Sequence, residues 1–283
     1  MENKKRNVVA PLNFIKRLDL YDLEKPFSIG HEIESWTGNV PRSNYSRERV
    51  ATLIEDIRGR EASFTFEKNG FAVIETASSL EYHEFEDKKT VEDTYVPEIG
   101  SCLLEYFGAT SVHVFSVLTR RRHPKFPQVE MRKTGPIIQP ATRVHIDGTA
   151  KAFDTLLTEL DESRPHANKR FIYVNVWKPL NGPLYDWPLA ICDAATVEDQ
   201  DLEAHDQVLP EVVRENYMVR HNAKHRWYYL SGQTTSELLV FRQVDSDGNK
   251  GVPHTSFPLP HDQVQSISCP RESIELRAVV YLD

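Results

Sequence analysis

A histidine and an aspartate stand two residues apart in the stretch ATRVHIDGTAKAF, which runs from Ala141 to Phe153. Residues two apart on a β-strand point to the same side, so His145 and Asp147 would present an imidazole and a carboxylate to one point. A second histidine from elsewhere would complete the set of two histidines and one carboxylate that binds Fe(II) and leaves coordination positions open. The alternative is two polar side chains at an exposed strand edge, because a lone H-x-D pattern is weak evidence.

The C-terminal part of the chain supplies the side chains that such a site lacks. His254 follows a predicted strand in the stretch PHTSF, and PRESIELRAVVYL places Arg271 and Ser273 two residues apart on the last predicted strand. A guanidinium group forms a planar fork that pairs with a carboxylate, and the serine hydroxyl adds a donor. The three motifs in this order indicate a metal site with an adjoining carboxylate site more strongly than any one of them.

The second histidine ligand has two other candidates in the sequence. His225 begins the stretch HRWYYL, where it could instead line a substrate pocket, and His261 lies in a proline-flanked loop that we expect to be solvated. We favour His254, because it follows the penultimate predicted strand.

The carboxylate site also has a competitor. Arg277 is six residues from Arg271 on the same predicted strand, which separates the two by roughly 20 Å, so they cannot both reach one carboxylate. We favour Arg271 because Ser273 accompanies it. We expect Arg277 to form a structural ion pair, with Glu275 as a candidate partner.

Strands predominate among the elements that must position these residues. Pro97 should kink the first of two predicted helices or make it start late. Residues 183–220 are expected to be a long, acidic, partly helical insertion. The whole chain, 1–283, is predicted to be one mainly β domain, with residues 1–107 packed as an extension on a core of residues 108–283. The predicted strands are residues 110–119, 170–180, 225–230, 237–244 and 273–282, and the predicted helices are residues 90–106 and 149–160.

Composition narrows the functional classes. The 283 residues carry a formal net charge of −8, so we expect no affinity for nucleic acid or an anionic membrane. The basic stretch TRRRHPK is predicted to be a solvated turn, with a polyanion site as the alternative. We find neither a membrane-spanning stretch nor a signal peptide in the sequence. Three scattered cysteines favour a reducing, cytoplasmic location.

The chain resembles the Fe(II)/2-oxoglutarate-dependent oxygenases, in the subfamily that includes a bacterial cephamycin 7α-methoxylation component and fungal secondary-metabolite oxygenases. The resemblance implies a core with the double-stranded β-helix (jelly roll, cupin-like) fold. It also implies Fe(II) held by His145, Asp147 and His254, 2-oxoglutarate held by Arg271, and O2 as the second co-substrate. The stretches that carry it are NGFAVIE, HIDGT, YVNVWKPLNGPLYDWPLAICDAATV, HRWYYLSGQTTSELLVFRQVDSD, PHTSF and PRESIELRAVVYL.

Two further expectations follow from the resemblance. Relatives often have a tyrosine after the aspartate, so Gly148 is expected to enlarge the pocket beside the metal. Ser273 and Asn175 are candidate partners of 2-oxoglutarate, although a buried, satisfied amide is an equal alternative for Asn175. For Trp227 a place in the core is the favoured alternative to the substrate mouth. The candidate residues of the substrate mouth are Tyr185, Trp187, Tyr217, His225 and Trp227.

The activity that the resemblance implies is hydrogen abstraction from a small apolar metabolite. The likeness to fungal meroterpenoid enzymes implies that O2 is then captured to give an endoperoxide. The alternatives are hydroxylation or desaturation of another metabolite, a non-catalytic helper subunit, and a cupin-type hydrolase or isomerase. A homodimer is compatible with the sequence.

Overall fold

Two β-sheets make up most of the computed structural model, which describes residues 6–30, 41–127, 138–160, 169–260 and 269–283. The strands of these ranges, in chain order, are β1 (Val8–Ile15), β2 (Phe27–Ile29), β3 (Arg47–Asp56), β4 (Phe71–Glu75), β5 (Ser111–Arg121), β6 (His145–Ile146), β7 (Arg170–Pro179), β8 (Leu189–Cys192), β9 (Leu202–Val208), β10 (Val213–Val219), β11 (Trp227–Tyr229), β12 (Glu237–Asp245), β13 (His254–Ser256) and β14 (Glu272–Leu282).

The larger sheet has nine described strands in the order β1-β3-β11-β8-β13-β6-β10-β9-β2, and the smaller has five in the order β4-β12-β7-β14-β5. Strand β11 runs parallel to β3, and β2 runs parallel to β9. The strands next to each other in these sheets are mostly distant in sequence, as in a chain that winds between two facing sheets. The prediction of a mainly β protein with a double-stranded β-helix core is confirmed.

The helices are few and short. They are α1 (Phe66–Asn69), α2 (Lys88–Thr90), α3 (Val96–Phe107) and α4 (Ala150–Leu160), with a π-helical turn at residues 91–95 between α2 and α3. The Asp87 carboxylate accepts hydrogen bonds from the backbone N–H groups of Lys89 and Thr90 and so caps α2. This helix therefore begins before Thr90, where the sequence predicted the start. Pro97 lies in the first turn of α3, where a backbone N–H is not needed. Within the described ranges, no helix is long and apolar enough to cross a membrane.

Strand β14 shows how alternation positions the site. Ile274, Leu276 and the alternate residues that follow are buried in an apolar cluster with α3, on the outer face of the smaller sheet. Because successive side chains point to opposite faces, Ser273, Glu275 and Arg277 face the larger sheet. The last strand therefore directs apolar side chains to the core under α3 and polar side chains between the sheets.

Residues 183–220, predicted to be a partly helical insertion, are mainly strands. This segment supplies β8, β9 and β10, all of which lie inside the larger sheet, and its helical residues are two 3-10 turns, Ala194–Thr196 and Asp199–Asp201. Its acidic side chains are compatible with strands because they form ion pairs: Lys25 pairs with Asp206 and Glu215, and Arg220 pairs with Glu203. The sequence pattern favoured a solvated insertion because it shows the charged residues but not the ion pairs that they form in the folded chain.

The N-terminal part of the chain is woven into both sheets. Strands β1 and β3 continue the larger sheet beyond β11, and β4 lies at an edge of the smaller sheet beside β12. Within the first 107 residues, the described chain thus contributes strands as well as the helices that cover the outer face.

Lys178 is an unusual member of the core beneath α3. It is 3% exposed, and its Nζ lies 4.9 Å from the ring centre of Phe85 and 4.8 Å from that of Tyr95. Burial lowers its pKa to about 8, against an opposing effect of Glu98. The aromatic rings therefore compensate only part of the cost of burying the ammonium group.

We expect Lys178→Met to raise the free energy of unfolding near pH 7 by about 1–3 kcal/mol, because the gain from removing a buried charge exceeds the ~0.5–2 kcal/mol of the lost cation–π contacts. The folded-state pKa lies below the unfolded one, so the cost of the lysine is complete below about pH 8 and fades as the pH rises towards ~10.5. Urea unfolding near pH 7 and near pH 10 measures both effects.

The exposed Lys68 of α1 provides the control, since Lys68→Met should change stability by no more than about 0.5 kcal/mol. A Lys178→Met variant less stable than the parent near pH 7 would show that the cation–π contacts dominate.

Candidate metal centre

Three side chains converge between the sheets. His145 lies on β6, Asp147 directly follows that strand, and His254 begins β13, where it stands opposite His145 in the strand register. One ligand atom from each lies within 4.8 Å of the others. His145 Nε2 is 3.4 Å from Asp147 Oδ1, and His254 Nε2 is 4.0 Å from Asp147 Oδ2. The pairing of β6 with β13 brings together motifs that are more than a hundred residues apart.

The histidines are oriented by their own strands. The Nδ1 of His145 lies 2.7 Å from the carbonyl oxygen of Arg143, and that of His254 lies 3.2 Å from the carbonyl oxygen of Val252. A carbonyl accepts only, so Nδ1 carries a proton in each ring and Nε2 is the nitrogen that faces Asp147. Burial, followed by the neighbouring His145, lowers the pKa of His254 to about 3. His254 is therefore a neutral imidazole, the form that ligates a metal.

Asp147 is held by donors from the smaller sheet. Its Oδ2 accepts a hydrogen bond from Asn175 Nδ2 at 2.7 Å and forms an ion pair with Arg277 Nη2 at 2.9 Å, and its backbone N–H donates to Gln243 Oε1 at 2.7 Å. Burial alone would raise the pKa of this carboxyl, but Arg277, followed by the contact with His145, outweighs it and holds the pKa well below its usual value. Two imidazoles and one carboxylate thus form a donor set that suits Fe(II).

The Arg277 contact with Asp147 is absent from the sequence prediction. The expected contact with Glu275 is present at 3.2 Å, but the side chain also reaches the candidate metal ligand. The signal lay in the pairing of β14 with β7, which places Arg277 opposite Asn175. Two polar residues opposite each other in buried strands form a local donor pair, and only the strand register reveals it.

Arg271 forms a second buried polar cluster beside the histidines. It is 1% exposed, and its Nη1 donates to Ser256 Oγ at 2.5 Å and to the carbonyl oxygen of Trp187 at 2.6 Å. Its Nε and Nη2 lie 3.3 Å from Ser273 Oγ. Because Ser256 is two residues from His254 on β13, the guanidinium lies on the same side of that strand as the candidate metal ligand. Burial, then Arg120, lowers the pKa of Arg271 to about 9.

Two of the predicted mouth residues lie in the loop before β8. The carbonyl of Trp187 holds Arg271, and its ring packs against Phe126 with 4.7 Å between ring centres. Tyr185 lies two residues before Trp187 in the same loop, and the Arg6 guanidinium is 5.6 Å from its ring centre. Trp187 thus borders the Arg271 cluster.

The other three candidate mouth residues lie away from the candidate metal ligands, and for Trp227 the favoured alternative, a place in the core, is confirmed. His225 contacts Asp201 at 3.0 Å and its side chain is 1% exposed. Trp227 is buried in the apolar cluster on the far face of the larger sheet, and Tyr217 packs against the same cluster. In the register, Tyr217 stands opposite Ile146 rather than His145, so alternation turns it away from the site.

The expectation about Gly148 stays a prediction. A Cβ atom built there would meet the Tyr173 ring at 3.6 Å, an ordinary contact distance. Tyr173 belongs to an apolar cluster with Phe153 and Val244, so a side chain at position 148 would border that cluster. The alternative ligand His261 lies outside the described residues.

A groove of about 690 Å³ lies on the opposite face of the smaller sheet. Phe85, Val91 and Val96 line one side, and Val117 and Thr119 of β5 line the other. These two β5 residues pair with the outward-facing Leu276 and Ile274 of β14. The sheet itself therefore separates this groove from the candidate metal ligands.

Comparison with known proteins gives consistent matches along the chain. A family model described as an oxidoreductase/YMDC permease-like domain matches residues 12–281. The hydroxylase/desaturase CTB9 of Cercospora beticola is 30% identical, over 92% of this chain and 86% of its own length. The alpha-ketoglutarate-dependent dioxygenase phiK of a fungal species (strain ATCC 74256) is 28% identical, over 86% of this chain and 91% of its own.

One relative also has a solved structure. The Fe(II)/2-oxoglutarate-dependent dioxygenase nvfI of Aspergillus novofumigatus is 29% identical over 85% of this chain and 86% of its own length. A structure of the iron and alpha-ketoglutarate-dependent endoperoxidase NvfI superposes with a TM-score of 0.83 at 26% identity, covering 98% of both chains. The chain therefore belongs to the oxidoreductase family that the matching model describes, as one of the fungal Fe(II)/2-oxoglutarate-dependent dioxygenases, which use Fe(II), 2-oxoglutarate and O2.

Proposed function

We propose that this dioxygenase oxidises a polycyclic meroterpenoid in fungal secondary metabolism and that its product is an endoperoxide. The observation that supports catalysis is the convergence of His145, Asp147 and His254, whose ligand atoms lie within 4.8 Å of one another. The superposition with the endoperoxidase NvfI over 98% of both chains supports the choice of product.

The residues have distinct roles in this proposal. His145, Asp147 and His254 hold the iron, which when bound supplies O2 activation and the abstraction of a substrate hydrogen. Arg271 and Ser273 bind the C5 carboxylate of 2-oxoglutarate through charge-assisted hydrogen bonds.

We assign Asn175 to orienting Asp147 rather than to binding the ketoacid. Its Nδ2 is occupied by the carboxylate at 2.7 Å. Its buried Oδ1 has no partner among the described residues and can only accept a hydrogen bond.

Hydroxylation or desaturation is the second candidate. It is favoured by the names of two relatives, the hydroxylase/desaturases CTB9 and efuI, which are 30% and 28% identical to this chain. A helper subunit fits less well, because it would have no need for two histidines with fixed tautomers beside an anionic carboxylate. A cupin-type hydrolase would have no use for the buried Arg271.

The cellular setting and assembly stay predictions. A cytoplasmic location accords with cysteines that are all free in the structure: Cys102, Cys192 and Cys269. A homodimer is also proposed, and the elution volume of the purified protein relative to its 32.6 kDa monomer mass tests it.

We expect His145→Ala, Asp147→Ala and His254→Ala each to abolish stoichiometric Fe(II) binding, because two remaining ligands cannot hold the ion against dilution. Anaerobic metal titration and succinate formation measure the loss. His225→Ala and the exposed control His83→Ala should keep both. If His225→Ala lost iron and His254→Ala retained it, the ligand set would be wrong.

We expect Arg271→Ala to weaken 2-oxoglutarate binding about 30- to 1000-fold, since a buried charge-assisted pair contributes on the order of 2–4 kcal/mol. The affinity of Arg271→Ala for Fe(II) should change little. Arg277→Ala should weaken Fe(II) binding and change 2-oxoglutarate binding little, because Arg277 contacts Asp147. Anaerobic calorimetric titrations with each ligand separate the two, and a larger loss of 2-oxoglutarate affinity in Arg277→Ala would overturn the assignment.

Turnover under ¹⁸O₂ distinguishes the proposed product from the alternatives. An endoperoxide should carry two labelled oxygen atoms bonded to each other, which mass analysis before and after reductive cleavage reveals. A hydroxylated product would carry one labelled atom, and a desaturated product would carry none and lose two hydrogens. Either of these last outcomes rejects endoperoxide formation while leaving the dioxygenase assignment intact.

A further inference from the structure

The basic stretch TRRRHPK is not a solvated turn. Strand β5 extends to Arg121, and its arginines alternate between the two faces of the smaller sheet. Arg121 turns outward to Glu272 and Glu86, and the next residue, Arg122, pairs with Asp186 at 2.5 Å. Arg120 stands opposite Ser273 in the register, so it points between the sheets on the same side as the Arg271 cluster.

Arg120 has no carboxylate partner among the described residues. Its one side-chain hydrogen bond in this part of the chain is from Nη1 to the carbonyl oxygen of Gln139, at 2.8 Å. The nearby carboxylates are Glu275 and Asp147, and both are already in contact with Arg277. Burial lowers the pKa of Arg120, and the neighbouring Arg277 and Arg143 lower it further.

Arg143 is in a similar position. It precedes His145 by two residues, and its Nη1 donates to the hydroxyl of Tyr45 at 2.9 Å. No ion pair of Arg143 is present in the described ranges. Arg143 is close enough to Arg120 to lower its pKa, and neither guanidinium has an ion pair with a carboxylate of the described residues.

The charges of the site do not cancel even when its ligands are counted. Arg120, Arg143, Arg271 and Arg277 lie near Asp147, Glu275 and Asp186 among the described residues, and Asp186 is already paired with Arg122. Fe(II) and the dianion of 2-oxoglutarate neutralise each other, so binding both leaves the same positive excess. Unpaired charge in a low-dielectric interior is costly unless an opposite charge arrives.

We propose that Arg120, assisted by Arg143, binds a carboxylate of the organic substrate, so that this enzyme oxidises an acid. This inference rests on the proposed function and replaces the expectation of an apolar substrate with few charged contacts. Arg271 has the serine partners Ser256 and Ser273 for one carboxylate, which leaves Arg120 available for another. Because a guanidinium fork binds a carboxylate in two places, it would fix one end of the substrate and thereby select the carbon that faces the metal.

The probe for this site is 2-naphthoate, a two-ring carboxylate with intrinsic fluorescence, with methyl 2-naphthoate as its uncharged match. Both are titrated anaerobically against the protein loaded with Fe(II) and 2-oxoglutarate, at constant ionic strength. We expect the wild type to bind 2-naphthoate and to bind its ester at least ~30-fold more weakly. Arg120→Met should remove this preference for the acid, and Arg120→Lys, which keeps the charge but not the fork, should retain part of it.

Arg121→Met is the matched control, since it removes the next arginine of the same strand from the outer face. It should bind 2-naphthoate as the wild type does. Urea unfolding of the substrate-free proteins should show Arg120→Met no less stable than Arg121→Met, because Arg120 has no ion pair to lose within the described part of the chain. A strongly destabilised Arg120→Met, with Arg120→Lys restored to wild-type stability and to an undiminished acid preference, would indicate a structural arginine and overturn the proposal.

A second titration tests whether Arg120 binds the organic substrate or the co-substrate 2-oxoglutarate. Arg120→Met should bind 2-oxoglutarate with wild-type affinity, and a loss as large as that of Arg271→Ala would show that Arg120 serves the co-substrate instead. Equal affinity of the wild type for 2-naphthoate and its ester, or no binding of either, also overturns the proposal. Failure of the wild type to bind Fe(II) and 2-oxoglutarate would instead reject the proposed function, so the two failures are distinguishable.

Discussion

One buried carboxylate joins the two sheets of this protein. Asp147 directly follows β6 of the larger sheet, and its Oδ2 accepts a hydrogen bond from Asn175 at 2.7 Å and forms an ion pair with Arg277 at 2.9 Å, both from the smaller sheet. A buried carboxylate without such donors would be strongly destabilising or would take up a proton. The positions of β7 and β14 against β6 therefore fix both the charge and the orientation of Asp147, while His145 and His254 are oriented by carbonyl groups of their own strands.

The strand that holds Asp147 also carries the second polar cluster. Arg277 and Ser273 lie on the same face of β14, and Arg271 precedes that strand by one residue with its guanidinium against Ser273 and Ser256. The other face of β14 is apolar and is buried with α3. Alternation thus lets one strand stabilise the fold on one side and position polar groups on the other. This division explains how so many arginines can lie between the sheets, because the apolar packing that supports them is outside.

The walls around the candidate ligands must decide the product. Relatives named as hydroxylase/desaturases and as an endoperoxidase are similarly related to this chain, at 30% and 26% identity. The iron and ketoacid supply O2 activation, whereas the fate of the substrate depends on which carbon is presented and what surrounds it. Arg120 and Arg143 are strong candidates for that selection, because a charged anchor fixes the substrate more closely than an apolar wall does.

The residue types of the sequence determined the chemistry, and the tertiary structure decided which residues carry it out. The motifs H-x-D, His and Arg-x-Ser indicated an iron and ketoacid site because ligand chemistry depends on side-chain type, and β-branched runs located β5, β7, β12 and β14. The acidic strands β9 and β10 were missed because ion pairs such as Lys25 with Asp206 form only across strands. The inward direction of Arg120, the contact of Arg277 with Asp147 and the outward direction of Tyr217 all depend on strand register. A shift of one residue turns every side chain of a strand to the other face, and long-range pairing alone sets that register.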